Sequence, residues 1–313
     1  IDRSRGLGDV YKRQANIAHG NSSIIADKFA LSAADIVVTE AGFGSDMGAE
    51  KFMHIKAATS GKSPDCVVMN VTVRSMKLHG GAFGTRGGYR PSKDELEAED
   101  VESVAIGAAT NLDRHIRNMA GFGVPVIVSI NKFTSDTDAE IKAISDAAHA
   151  SGARAVTVTE VHSKGGEGGE DLAKAVVKAI QDHVAAGRPF TPLFVEDAPI
   201  MEKVEAIATR MYKAKDVYVE TAAKKQLDKI ISWGYGNLPV CMAKTQYSFS
   251  HDAGKLGAPS DFTLPIREFR LNSGAGFIVA ILGNMMTMPG LPKRPAAIDM
   301  DMDDDGNQAG IFG

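Results

Sequence analysis

The sequence predicts an α/β fold built around a largely parallel β-sheet. Short β-branched runs, typical of buried strands, alternate along the chain with segments whose apolar residues recur at helical spacing. A polar or glycine-rich segment follows each apolar run, as is common at the edge of a parallel sheet where ligands bind. Such alternation favours parallel strands joined by crossover helices.

The clearest elements lie before residue 185. A helix over 25–35 is predicted to lead into a buried strand over 36–40. The elements that follow are a strand over 66–73, a helix over 101–123, a strand over 124–133, a helix over 138–152, a strand over 153–160 and a helix over 170–184. Gly152 marks the end of one of these helices, because glycine readily adopts the left-handed conformation found just beyond a helix.

The pattern loosens after Arg188. Helices are predicted near 199–213 and 220–233, and strands over 262–271 and 276–282. This region is predicted to form a smaller α+β unit packed on the α/β core.

Composition and charge exclude several classes of protein. The 313 residues suffice for about two domains of ~150 residues each, and 44% hydrophobic with 24% charged residues is typical of a globular chain. Lys and Arg are scattered and the net charge is -4, so no nucleic-acid footprint is present. The apolar stretches are much shorter than the ~20 residues of a membrane span. Cys66 and Cys241 are predicted to be buried free thiols, which favours a reducing, cytoplasmic location.

Four segments that follow predicted strands are candidate ligand-binding loops: AGFGSD, RSMKLHGG, NKFTSD and EVHSKGGEGG. In the last of these, Gly165, Gly166 and Gly168 precede a helix whose N-terminal amides could bind a phosphate. A flexible connecting turn is an equally good interpretation. The phosphate-loop spacing G-x-x-x-x-G-K-[ST] does not occur in the sequence.

Three further polar residues are candidates with a structural alternative. His19 precedes Gly20 at a predicted helix start, where it could contact an anion or simply belong to the capping segment. Glu40 and Asp46 flank AGFG and could orient a cation, polarise a substrate or cap the loop. A calcium-loop start at Asp301 lacks the Glu required at its twelfth position, which is Phe312, so a solvated acidic turn is preferred and no metal site is predicted.

Several long strings together resemble the formate–tetrahydrofolate ligases, from about Ala15 to Gly313. They are NIAHGNSSIIADKFAL, ADIVVTEAGFGSDMGAEKF, VTVRSMKLHGG, GVPVIVSINKF, EVHSKGGEGG, CMAKTQYSFS, GAPSDFTL and NMMTMPGLPKRPAA. The resemblance implies ATP-dependent ligation of formate to tetrahydrofolate through formyl phosphate, giving 10-formyltetrahydrofolate, ADP and phosphate. It also implies Mg²⁺, a monovalent cation (K⁺ or NH₄⁺) and a homotetramer.

The resemblance also implies the site residues of the folate pocket. The family stacks the pterin between two aromatic side chains. Phe133 matches the first of them, whereas His162 stands where the family usually has Trp and offers less stacking area. Phe43 and Val158 are similar to further residues that line this pocket.

On the nucleotide and formyl phosphate side, His19, Glu40 and Asp46 lie in matching motifs and are the catalytic candidates. The family's phosphate loop belongs to a P-loop-NTPase-like first domain and would lie upstream of Ala15. The expected organisation is a non-native leader over 1–14, the remainder of a truncated nucleotide-side α/β domain over 15–115, a folate-side α/β domain over 116–238 and a small C-terminal domain over 239–313. We therefore expect the chain to be inactive alone, the alternative being a non-catalytic folate-binding or subunit-assembly module.

Overall fold

The structure is a computed structural model that describes residues 21–84, 91–283 and 298, together with the backbone of 301–302 and 308–309. It has an α/β architecture with a three-stranded parallel sheet, a four-stranded mixed sheet and a short two-stranded ribbon. The predicted α/β class is confirmed. His19, most of the acidic stretch 299–305 and the whole of NMMTMPGLPKRPAA lie outside the described residues.

The parallel sheet has the strand order β1-β2-β3. Its strands are β1 (Val67–Val71), β2 (Val126–Asn131) and β3 (Ala155–Thr159), at the positions that the β-branched runs predict. The central strand β2 is buried along its length except at its last residue, because both of its edges are paired. Ile130 of β2 lies between Val71 and Val158, so the carboxyl ends of all three strands meet at one edge.

Helices surround this sheet, and several contain wider π-helical turns. Helix α2 comprises the π-helical turns Ser45–Ala49 and Phe52–Lys56 and the α-helical turn Ala57–Ser60. The π-helical turn Ala108–Leu112 joins helix α5 (Val101–Gly107) to helix α6 (Asp113–Ala120). The remaining bounds are α1 (Ile24–Ala33), α3 (Val73–Gly80), α4 (Lys93–Glu97), α7 (Asp138–Ala150), α8 (Val161–Lys164) and α9 (Glu170–Ala185). Among the helices of the described ranges, none is long and apolar enough to cross a bilayer.

The second sheet has the order β4-β6-β7-β5, in which only β6 and β7 are antiparallel. Its strands are β4 (Asp216–Val219), β5 (Val240–Ala243), β6 (Thr263–Asn272) and β7 (Phe277–Leu282). Two helices accompany it, α10 (Ile200–Ala206) and α11 (Thr221–Ser232). Helix α10 continues through the π-helical turn Ile207–Met211. The ribbon pairs β8 (Asp301–Met302) with β9 (Gln308–Ala309). The sequence pattern predicted β6 and β7 but missed the four-residue strands β4 and β5.

The proposed domain limits stay predictions. The limit at 115/116 falls inside α6, and β4, which precedes the limit at 238/239, pairs with β6, which follows it. The two sheets also share one hydrophobic core, in which Ile130 and Ile116 belong to the same cluster as Tyr212 and Leu264.

Two local expectations differ from the structure. The prediction of a strand over 36–40 is wrong, because these residues form no strand and Val38 is 91% exposed. The next residue, Ala41, makes an isolated β-bridge to Asn21. A strand needs a hydrogen-bonding partner along its length, and no described strand lies beside this run. The RSMKLHGG segment forms most of α3 rather than a loop, because Thr72 and Ser75 make a capping box directly after β1.

Candidate functional site

Three of the four predicted folate residues, Phe133, Val158 and His162, lie at the carboxyl ends of β2 and β3. Phe133 lies two residues beyond β2, and its backbone N–H donates to the Asp136 carboxylate at 2.8 Å. The Arg74 guanidinium lies 4.3 Å from the centroid of the Phe133 ring, and Phe133 is still 38% exposed. Cation–π contact with Arg74 therefore covers part of an aromatic ring that remains open to a ligand.

The glycine-rich segment after β3 forms a folded turn. His162 is exposed in the short helix α8, and Gly165, Gly166 and Gly168 lie in the 3₁₀ turn Gly165–Gly169 at the start of α9. The Glu160 N–H donates to the Gly168 carbonyl at 3.1 Å, and a Cβ at Gly168 would lie 2.6 Å from the Glu160 carbonyl carbon. Only glycine permits this approach, so the turn is a defined structure.

A backbone hydrogen bond joins the carboxyl ends of β2 and β3. The Lys132 N–H donates to the Thr159 carbonyl at 3.0 Å, which extends the β2–β3 pairing to the start of both loops. Val158 is half-exposed on β3. Phe133, His162, Val158 and the glycine turn thus lie along one edge of the sheet, as their positions after parallel strands predict.

A second feature is a cleft of about 1160 Å³ beside β1. Its lining includes Glu40, Phe43, Ser45, His79, Asn111 and His115. Phe43 is 60% exposed and has a φ of 59°, a left-handed conformation that is unusual for a bulky side chain. The cleft brings together Glu40 and Phe43, whereas Phe133 and His162 are not part of its lining.

Asp46 lies behind this cleft in a buried ion pair with Lys244. The Lys244 ammonium donates to the Asp46 carboxylate, to the Ser248 carbonyl at 2.5 Å and to the Thr245 carbonyl at 3.1 Å. Burial is the largest single influence and by itself would raise the pKa of Asp46, but the Lys244 charge, the His115 ring and the hydrogen bonds from Lys244 and the backbone together hold that pKa below its usual range. Burial lowers the pKa of Lys244, while the attraction of Asp46 opposes this shift.

Two imidazoles flank the pair. His115 Nδ1 and the Ser45 hydroxyl share a hydrogen bond of 2.5 Å, and burial lowers the pKa of His115 to about 4, so the ring is neutral at pH 7. His79 Nδ1 accepts a hydrogen bond of 3.1 Å from the Gly257 N–H, and burial also lowers its pKa. Neutral rings are expected here, since burial disfavours a charged imidazole.

Three π-helical turns border this polar cluster. Ser45–Ala49 contains Ser45 and Asp46, Ala108–Leu112 contains Asn111, and Ile207–Met211 directly precedes Tyr212, whose ring centroid is 5.3 Å from the Lys244 ammonium. A π-helical turn widens a helix, and such turns are frequently found at functional sites.

The ranges 21–84 and 91–283 contain no phosphate-loop string G-x-x-x-x-G-K-[ST]. In the described ranges, no group of three or more His, Cys, Asp or Glu side chains could hold a metal ion. The nearest approach to a phosphate-loop motif is Gly61-Lys62-Ser63, which lies after a helix and before β1. A phosphate loop needs the opposite order, because the N-terminal amides of the following helix bind the phosphate.

Sequence reasoning missed Lys244, His115 and Arg74. A lysine directly after the fully buried run VCMA is an available signal for Lys244, because a charge at the end of a buried strand needs a partner. His115 and Arg74 lie within helices and carry no such signal.

Both cysteine thiols are free, Cys241 being buried and Cys66 half-buried. Burial raises the pKa of Cys241 to about 12 and that of Cys66 to about 11.

This arrangement defines an α/β protein whose parallel strands end at one edge of the sheet, the position at which proteins of this class bind small molecules. The family model described as formate–tetrahydrofolate ligase matches residues 13–312, and the chain belongs to this family. The family joins formate to tetrahydrofolate in an ATP-dependent reaction. The resemblance found in the sequence is confirmed over nearly the whole chain.

Proposed function

We propose that this chain supplies the folate side of an ATP-dependent ligase that forms 10-formyltetrahydrofolate, ADP and phosphate through formyl phosphate. The observation that carries the proposal is the exposed Phe133 ring, which follows β2 at the carboxyl edge of the parallel sheet, where the glycine-rich turn follows the neighbouring strand β3, within a chain of this family. The pterin ring is expected to stack on Phe133, since planar heteroaromatic rings prefer an offset aromatic partner.

The neighbouring residues complete the proposed folate site. His162 offers a second, smaller ring surface, Val158 supplies an apolar contact, and Phe43, on the cleft beside β1, is a candidate for a further apolar contact with the ligand. Glu40, on the cleft, is a candidate contact for formate or formyl phosphate chemistry, as is His19, while Gly165, Gly166 and Gly168 are candidates for an anionic group. The proposed reaction uses Mg²⁺ with ATP, and K⁺ or NH₄⁺, as the family resemblance implies.

Tetrahydrofolate binding tests the folate site. Calorimetric titration of the chain should show binding that Phe133→Ala weakens about tenfold, because loss of a stacked ring costs on the order of 1 kcal/mol or more. His162→Trp should tighten binding, since indole offers a larger stacking surface than imidazole. Unchanged affinity in both variants, with the wild-type chain binding, would contradict the proposed pterin position.

Turnover tests the role in ligation. We propose that the 313-residue chain shows no ATP- and formate-dependent formation of 10-formyltetrahydrofolate, because its sequence contains no G-x-x-x-x-G-K-[ST] string. When the chain is joined to a family nucleotide domain that carries this string, the fusion protein should form 10-formyltetrahydrofolate. Phe133→Ala in the fusion should abolish most of this activity. Turnover by the chain alone would overturn the proposed dependence on that loop.

One observation favours the alternative of a non-catalytic folate-binding or subunit-assembly module. Apolar side chains of α1 and the following segment are exposed, among them Ile25, Phe29 and Val38. Such a surface is typical of an interface, and the proposed state is a cytoplasmic homotetramer. A chain that binds tetrahydrofolate and assembles, but never turns over when joined to the nucleotide domain, would support this alternative.

A further inference from the structure

The backbone of Phe43 needs an explanation from its surroundings. A bulky residue with φ near 60° is strained, and such strain persists only where neighbouring structure enforces it. The Phe43 side chain is 60% exposed, so its own packing does not enforce the conformation. The turn Ala41–Gly44 is therefore held by other groups.

The turn is fixed by contacts with the start of α2. The Gly48 N–H donates to the Gly42 carbonyl at 3.0 Å, and the Met47 N–H donates to the Gly44 carbonyl at 3.0 Å. A Cβ at Gly44 would lie 2.6 Å from Asp46 Oδ1, so the backbone next to Phe43 rests directly on the Asp46 carboxylate. The position of Asp46 thus sets the position of the turn.

Asp46 is in turn held from the second sheet. Lys244 follows the last residue of β5, is fully buried, and has all three ammonium protons directed at acceptors: Asp46 and the carbonyls of Thr245 and Ser248. The hydrogen bond between Ser45 and His115 fixes the same turn from α6. Two independent polar contacts therefore hold the two residues that follow Gly44.

We propose that Lys244 is a positioning residue, which through the buried Asp46 carboxylate holds Phe43 in its left-handed conformation so that the ring lines the cleft and contacts bound tetrahydrofolate. The inference rests on the proposed function for tetrahydrofolate as the ligand, whose pterin stacks on Phe133 while another part of the molecule reaches Phe43. Asp46, at 4% exposure, acts on the turn and not on substrate.

The test compares Lys244→Met with Lys203→Met. Lys203 is also a buried lysine, and it donates to the carbonyls of Glu196, Asn237 and Leu238, without contact to the turn. Both variants lose a buried, fully bonded ammonium, so both should have a lower melting temperature. Only Lys244→Met should accelerate amide hydrogen exchange of residues 42–48 by tenfold or more and weaken tetrahydrofolate binding about tenfold, measured well below both melting temperatures.

Asp46→Asn provides a second variant if Lys244→Met does not fold, because it keeps the shape of the side chain and an oxygen that can accept from Lys244. Asp46→Asn should also accelerate amide hydrogen exchange of residues 42–48, by a smaller factor than Lys244→Met. Wild-type exchange over 42–48 in both folded variants, or equal changes in Lys203→Met, would overturn the positioning role. If the wild-type chain does not bind tetrahydrofolate, the proposed function fails, while the exchange data still decide whether Lys244 holds the turn.

Discussion

His115 shows how burial changes the chemistry of a single residue. Its ring contacts Ser45 through Nδ1 and packs 4.5 Å, centroid to centroid, from Phe249. Burial is the main reason that its pKa falls to about 4, and the attraction of Asp46 only partly opposes it. Because an unfolded histidine titrates near 6.5, the unfolded chain binds a proton in the window between the two values while the folded chain does not.

Folding stability should therefore fall as the pH drops from 7 to 4. The His115 contribution amounts to about 3 kcal/mol at most, since each pKa unit corresponds to about 1.4 kcal/mol. His115→Asn keeps a polar atom near the position of Nδ1 but removes this titration. In urea unfolding at a series of pH values, the variant should lose about 2–3 kcal/mol less than the wild type over this window. Parallel pH profiles would show that His115 is not the responsible group.

At the scale of elements, buried ion pairs join helices that are distant in sequence. Glu140 occupies the N3 position of α7, where its carboxylate accepts the Thr137 N–H at 3.0 Å. The same carboxylate accepts the Asp100 N–H at 2.9 Å and pairs with the Lys77 ammonium at 2.8 Å. A single buried side chain thus caps α7, contacts the residue before α5 and neutralises a lysine of α3.

Glu140→Gln should destabilise the fold by about 3–5 kcal/mol, because removing one member of a buried pair leaves the other charge uncompensated. The matched control is Asp146→Asn on the same helix, which breaks an exposed pair with Lys142 and should cost under about 0.5 kcal/mol. Denaturant unfolding of the three proteins measures both values. Similar losses in the two variants would contradict the role assigned to burial.

The elements themselves differ in how well periodicity predicts them. Helix α9 and strand β2 match their predicted ranges to within about two residues, because a long apolar face or a fully apolar run leaves a clear local signal. Strands β4 and β5 have only four residues each and were missed. Residues 36–40 carry the composition of a strand without forming one, since pairing depends on a neighbouring strand.

At the scale of the whole molecule, α6 connects the two sheets. Arg114 donates to the carbonyls of Pro259 at 2.6 Å and Ala258 at 3.2 Å, and Asn118 donates to the Met211 carbonyl at 3.1 Å. Asn111, just before α6, donates to the Gly257 carbonyl at 2.7 Å. Together with the shared core, these bonds predict that both sheets unfold in one transition.

Arg114→Met should weaken this coupling and cost about 2–3 kcal/mol, because it removes charge-assisted hydrogen bonds to backbone carbonyls. Fluorescence of Trp233, at the end of α11, and far-ultraviolet circular dichroism should give coincident denaturant transitions in the wild type and separated ones in the variant. Arg117→Met, which removes only an exposed pair with Asp113, should leave the two probes coincident. Separated transitions already in the wild type would refute the single-transition model.

The sequence by itself determined the α/β class, most helices and long strands, the placement of Phe133 and His162 after adjacent strands, and the family. These features follow from local periodicity and from contiguous motifs, both of which are present in the sequence itself. Only the tertiary structure decided that Asp46 pairs with Lys244, which lies 198 residues further along the chain, and that Phe43 is left-handed beside them. The reason is physical: an ion pair between distant segments depends on how two sheets pack, and no local pattern encodes that distance.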